Sequence, residues 1–164
     1  MKLFRPTAHF KSVFQITPEI LKKFGIKAVI LDADNTIRNV AQHKAIDGID
    51  VWLQSVKQSG IKVILLSNNF SSNVRPFAKS IELDHVAMAL KPMPFGVLRV
   101  LRRLGSKRKE TAMIGDQVFT DIVASKFAGV KSFLVDPLEP ETHWFWVWRR
   151  SIERKVIKSK KDKR

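Results

Sequence analysis

The chain has 164 residues, enough for one domain, and a 45% hydrophobic share that is ample for a packed core, so wholly disordered and multi-domain readings are excluded. Thirty Lys plus Arg against fifteen Asp plus Glu leave a formal charge of +15, which favours an anionic partner, nucleic acid or an acidic membrane surface, without bearing on the fold. With no Cys there is no disulfide, thiolate metal site or cysteine nucleophile, with no Tyr no tyrosine chemistry, and no apolar run reaches the roughly 20 residues of a bilayer span or the roughly 7 to 15 of a secretory signal core, so a cytosolic protein is expected.

Residues 1–25 carry Lys2, Arg5, Lys11, Lys22 and Lys23 among a few aromatics, and a short helix is predicted over Pro18 to Phe24. Ile26 to Leu31, apolar but for Lys27, predicts a strand buried on both faces. Ile46, Ile49, Leu53 and Val56 recur at helical spacing, and a second buried strand follows over Ile61 to Leu66. Val74, Phe77, Ala78 and Ile81 mark the next helix, with Pro76 placed near its start because proline is tolerated in a first turn. A strand over His85 to Ala89 leads to a helix through Phe95, Leu98 and Leu101, with Pro94 suited to its first turn. Thr111 to Ile114, a helix through Val118, Ile122 and Phe127, and Val130 to Val135 complete the alternation. Gly60, Gly105 and Gly129 each follow a helical segment where a left-handed cap is wanted.

Five strands joined by helices predict a doubly wound parallel sheet, whose ligands bind beyond the carboxyl ends of the strands. The polar residues at those ends are Asp32 and Asp34, then Ser67, Lys91 and Asp116. Carboxylates, a hydroxyl and a lysine, without His or thiol, are equipment for phosphoryl transfer. A carboxylate approaching a phosphate is anion against anion, so a divalent cation and a lysine are needed, and oxygen ligands select a hard ion such as Mg2+.

The segment Asp32-Ala-Asp34-Asn35-Thr36 resembles the first motif of haloacid dehalogenase (HAD) superfamily phosphatases; Ser67-Asn68-Asn69 is similar to the second, Lys91-Pro92 to the third, and Gly115-Asp116 with Asp121 to the fourth. Taken singly, each of these stretches reads more readily as a turn, a loop or a helix cap; their occurrence in order, each at a predicted strand end, carries the resemblance. It covers residues 26–136 and implies a three-layer Rossmannoid sandwich with a five-stranded, mainly parallel sheet. It also implies roles: Asp32 as the nucleophile that forms an aspartyl-phosphate, and Asp34 as acid and base, its main-chain carbonyl on the metal. Thr36, Ser67, Asn68 and Lys91 would contact the phosphoryl group, and Asp116 would complete the metal site with Asp121 as partner or alternate ligand.

In this superfamily, caps over small substrates are inserted after the first or second motif, and neither interval here has room for one. An open site suits a substrate that brings its own bulk: a protein, a nucleic-acid end or a lipid head group. Among capless members the chain resembles the subclass IIIA group related to phosphatidylglycerophosphate phosphatases, through Phe4-Arg5-Pro6, Ile16-Thr17-Pro18-Glu19, Asp-x-Asp-Asn-Thr and Ser-Asn-Asn; Ala33 departs from the larger residue usual there. The substrate expected is phosphatidylglycerophosphate, with phosphomonoesters of nucleotides, polynucleotides or proteins as one alternative and nucleic-acid binding on a HAD scaffold as another.

The phosphatase domain is expected over residues 1–142 and a separate tail over 143–164. That tail combines Trp144, Phe145, Trp146 and Trp148 with nine basic residues, from Arg149 to Arg164, against Glu153 and Asp162. Two readings stand for it: an anchor on an anionic membrane at the cytosolic face, with the tryptophans at headgroup depth, or tryptophans packed on the sheet edge with a solvated basic end. The oligomeric state is not legible.

Overall fold

The computed structural model describes residues 3–139. In chain order its elements are β1 (Ala8–Phe10), α1 (Pro18–Lys23), β2 (Ala28–Asp32), β3 (Arg38–Asn39), β4 (Lys44–Ala45), α2 (Ile49–Gln58), β5 (Lys62–Leu66), α3 (Ser71–Ser80), β6 (His85–Val86), α4 (Phe95–Leu104), β7 (Thr111–Gly115), α5 (Val123–Ala128) and β8 (Lys131–Val135). One sheet has the order β1-β8-β7-β2-β5-β6 with every pair parallel, and β3 and β4 form a small antiparallel hairpin.

Both faces of the central strands are covered, and their side chains divide by parity. Val29 and Leu31, Val63 and Leu65, Ala112 and Ile114 enter one core with Leu21, Trp52, Leu53, Val56, Val74 and Phe77 of α1, α2 and α3. Ile30, Ile64, Leu66 and Met113 enter the other with Val97, Val100, Ala124 and Ala128 of α4 and α5. This is the three-layer α/β arrangement that unbroken apolar runs imply, since a strand buried on both faces has no polar side to show. Each large aliphatic side chain so buried contributes about 1.5–3 kcal/mol.

The sheet has six strands where the sequence predicts five. β1 pairs with β8 through only three residues, Ala8 with Phe133 to Phe10 with Val135, and its half-exposed pattern offers no apolar run to read. β6 ends at Val86 instead of Ala89, because Met88 and Leu90 lie at φ +50° and +58°, a left-handed conformation no strand continues through. Pro76 sits inside α3 rather than near its start; it and Ser72, whose carbonyl it leaves without an i+4 donor, are both exposed, so water can take that bond. The expected caps are present at Gly60, Gly105 and Gly129, all with positive φ. The tail 143–164 lies outside the described residues, and among those described no helix is long and apolar enough to cross a membrane.

Candidate active site

The chain runs from β2 outward to β5 and β6 on one side, then crosses back to β7 and β8 on the other, so β2 is where the strand order reverses. The cleft outside a parallel sheet opens at such a point. Asp32 ends β2, Ser67 follows β5, and Asp116 follows β7. Lys91 comes from the loop after β6, and Asp121 from the turn that leads into α5. Four strand ends thus converge on one spot.

At the floor, the Lys91 ammonium forms ion pairs with Asp32 Oδ1 and, at 2.7 Å, with Asp121 Oδ1. Thr36 Oγ1 lies 3.2 Å from Asp32 Oδ2 and 3.3 Å from Asp116 Oδ1, one hydroxyl serving two carboxylates. Carboxylate oxygens of Asp32, Asp116 and Asp121 all lie within 4.8 Å of one another, and all three residues are buried. Burial raises the Asp32 pKa, Lys91 opposes that, and Asp121 and Asp116 reinforce it, leaving the group well above the usual aspartate value. Burial alone would pull Lys91 down, but Asp121 and Asp32 outweigh it and hold the ammonium above the usual lysine value. Three buried carboxylates facing one ammonium leave an excess of negative charge in a molecule of +15. An all-oxygen, anionic donor set of this kind fits a hard divalent cation.

Local backbone explains why these residues meet. A Cβ on Gly115 would collide with the Asp121 carboxylate, so the residue before Asp116 must be glycine for Asp121 to reach Lys91. Residues Val118–Ile122 form wide π-type turns, with the Ile122 N–H reaching back to the Gln117 carbonyl at 3.3 Å, and the Gln117 N–H donates to Asp121 Oδ2 at 3.0 Å. Such turns recur at functional sites because the added residue re-aims one side chain.

The remaining predicted residues lie close by with differing partners. Ser67 is buried, and its Oγ accepts from the Asn69 N–H at 3.1 Å. Asn68 applies both ends of its amide to the Lys91 main chain, Oδ1 accepting at 2.8 Å and Nδ2 donating at 3.0 Å. Asp34 stands apart from the three-carboxylate cluster, with Asn69 Nδ2 at 2.6 Å and Arg38 Nη1 at 3.5 Å. The sequence alone does not single out Asn69 and Arg38 as partners of Asp34. Arg38 also lies over the Phe77 ring, 5.2 Å from its centroid, and touches His43 Nδ1 at 2.9 Å.

Asp32, Asp34, Ser67, Asn68, Asn69, Lys91, Pro92, Gln117, Thr120 and Asp121 line an open cavity of about 480 Å³. Between Asp34 and Ser67 lie only the β3–β4 hairpin and α2, and between Ser67 and Lys91 only α3 and β6, so among the described residues no inserted cap covers it. A strap closes one side: the Leu138 N–H donates to the Asn35 carbonyl at 3.0 Å, Asn35 exchanges side-chain bonds with the Glu139 main chain at 2.9 and 3.2 Å, and Asn39 Nδ2 donates to Glu139 Oε1 at 2.6 Å.

Comparison with known proteins agrees with this geometry. A family model described as haloacid dehalogenase-like hydrolase matches residues 38–129. Over 99% of its length and 94% of the relative's, the chain is 32% identical to the probable phosphatase YqeG of Bacillus subtilis. It is 25% identical, over 93% of its length, to phosphatidylglycerophosphate phosphatase 1, chloroplastic/mitochondrial, of Arabidopsis thaliana, but spans only 47% of that protein. Among solved structures, the 3-deoxy-D-manno-octulosonate 8-phosphate phosphatase of Moraxella catarrhalis, in complex with magnesium, phosphate and KDO, superposes with a TM-score of 0.56 at 24% identity, covering 74% of this chain and 75% of that one. At that identity the likeness speaks for the fold alone.

Proposed function

The chain belongs to the haloacid dehalogenase-like hydrolase family and is a phosphatase, and from that premise we propose that it hydrolyses phosphatidylglycerophosphate to phosphatidylglycerol through an aspartyl-phosphate on Asp32. The observation that carries the catalytic part is the Lys91 ammonium lodged between Asp32 and Asp121, with Asp116 alongside, at the floor of an uncapped cavity.

The Asp32 carboxylate forms the new bond to phosphorus as the bond to the lipid glycerol oxygen breaks, and Asp34 gives that oxygen its proton. Asp34 then takes a proton from water, which attacks phosphorus and frees Asp32 and inorganic phosphate. Asn69 and Arg38 hold Asp34 for both transfers. Ser67, Thr36 and Lys91 face the phosphoryl oxygens, and Asn68 keeps Lys91 in place through its main chain. Asp32, Asp116 and the Asp34 main-chain carbonyl would hold a divalent cation such as magnesium, which supplies the charge that offsets repulsion between carboxylate and phosphate. Asp121, with one oxygen on Lys91 and the other on the Gln117 N–H, acts from behind them.

Three observations favour the lipid: the uncapped mouth, the Arabidopsis relative, and the tryptophan-rich basic composition of residues 143–164. Purified protein with magnesium should release phosphate from phosphatidylglycerophosphate in mixed micelles far faster than from phosphatidic acid or 5′-nucleotides, and chelation should stop it. Faster turnover of nucleotides or of 5′-phosphorylated oligonucleotides would overturn the substrate and leave the catalytic residues standing.

A further inference from the structure

On the β5–β6 side, the rim of the cavity is apolar. Phe70 follows the Ser67-Asn68-Asn69 turn, and Met88, Leu90, Met93 and Phe95 flank Lys91; their exposures are 67, 49, 60, 46 and 53%. Hydrogen bonds lace the two loops together: the Met88 N–H donates to the Asn69 carbonyl at 3.0 Å and the Ala89 N–H to the Ser67 carbonyl at 3.0 Å. Within the second loop the Met93 N–H donates to the Leu90 carbonyl at 2.9 Å. Their neighbours Asn68, Asn69, Lys91 and Pro92 line the cavity itself, so the five side chains form a collar along its edge.

Local packing runs against the usual order in this collar. Ala89 is fully buried while Met88 and Leu90, on either side of it, stand in water. Both of them adopt positive φ, which side chains disfavour and which persists only where the surroundings impose it. A contiguous exposed apolar surface beside a cavity marks a place where something docks.

Charge identifies the partner. Residues 68–81 and 85–109 contain no Asp or Glu. Arg75 is exposed on α3, the helix that begins after Phe70, and the exposed Arg99 has its guanidinium fixed on the Ala87 and Met88 carbonyls at 3.2 and 2.7 Å. Apolar side chains bordered by cations match a surface that is anionic outside and apolar beneath. A second copy of the chain would set +15 against +15. Leu138 and Glu139 are tied to Asn35 and Asn39, in the segment that follows β2, and the sequence rich in tryptophan, Lys and Arg comes after them.

We propose that Phe70, Met88, Leu90, Met93 and Phe95 are the face by which this protein docks into an anionic lipid surface, setting the mouth of the cavity at headgroup depth. The inference deepens the lipid reading above and rests on it.

Because the chain has no Cys, Phe70→Cys and Leu90→Cys each carry a single polarity-sensitive fluorophore, with Val51→Cys on α2 and Phe127→Cys on α5 as exposed apolar references. On adding vesicles of phosphatidylglycerol and phosphatidylcholine to the full-length protein, collar labels should shift to the blue at vesicle concentrations about tenfold below those that move the references. The pair Met88→Asn and Leu90→Asn, chosen because asparagine tolerates positive φ, should weaken vesicle binding about tenfold while turnover of p-nitrophenyl phosphate without vesicles stays within twofold. Shifts at the references but not at the collar would overturn the proposal. So would collar labels already blue without vesicles and unmoved by them, the sign that the chain's own tail or a second copy covers the collar. Binding is read without turnover: docking without hydrolysis of phosphatidylglycerophosphate defeats the substrate alone, and hydrolysis without collar shifts defeats the docking alone.

Discussion

The floor and the rim of the cavity are built on opposite rules. At the floor, charged groups are buried and ordered by one another: Lys91 by Asp32 and Asp121, Asp121 also by the Gln117 N–H, and Thr36 between Asp32 and Asp116. At the rim, apolar side chains are exposed and ordered by their backbone, with Met88 and Leu90 at positive φ on either side of Ala89, and Met88 and Ala89 bonded through their N–H groups to the neighbouring loop. Desolvated charge needs internal partners, since an uncompensated buried ion costs several kcal/mol. Exposed apolar surface finds its partner outside the molecule. One few-residue stretch, Met88 to Phe95, obeys both rules at once, because Lys91 points inward from between two rim residues.

Substitutions separate the two, beginning where the effect is largest. Asp32→Asn keeps the shape of the floor and removes the charge proposed to attack phosphorus; turnover should fall by about a thousandfold or more, with circular dichroism unchanged. Lys91→Met leaves Asp32 and Asp121 facing each other without their cation, and urea denaturation should register a loss of about 3 kcal/mol along with the activity. Gly115→Ala drives a methyl into Asp121; destabilisation of about 1–3 kcal/mol should accompany a lowered kcat toward p-nitrophenyl phosphate, with a smaller change in KM. At the rim the sign reverses. Leu90→Asn relieves a left-handed leucine and should raise stability by about 0.5 kcal/mol, leaving turnover of the same soluble ester intact.

That reversal also marks where the sequence misleads. β2, β5, β7 and β8 are legible because each is a mainly apolar run buried on both faces, and Asp32, Ser67 and Asp116 are legible because each ends or follows such a run. The same logic reads His85 to Ala89 as a strand and so takes Met88 for interior, whereas two left-handed residues turn the chain outward after Val86. β1 escapes notice because it is three residues at a sheet edge. Contacts between distant loops leave no local trace either: Asn69 meets Asp34 across 35 residues, and Glu139 meets Asn35 across 104. Arg38 looks like one more surface cation of a basic chain, and only the hairpin places it on Asp34 and Phe77.

The strap at Leu138 and Glu139 has a kinetic side. Asp32 terminates the middle strand of the sheet, and the amides of β2 are released to solvent only when the sheet itself opens. Asn35, three residues later, donates its N–H to the Arg38 carbonyl and is tied through its own carbonyl and side chain to Leu138 and Glu139, whose few hydrogen bonds can break without the sheet. In native-state hydrogen exchange two regimes therefore meet at this loop: slow exchange through opening of the sheet at Leu31 and Asp32, and faster exchange at the Leu138 and Glu139 amides, which detachment of the strap from Asn35 releases. The proposed nucleophile Asp32 lies in the part that opens only with the sheet, and Asp34, the proposed acid and base, stands one residue before the strap's anchor at Asn35.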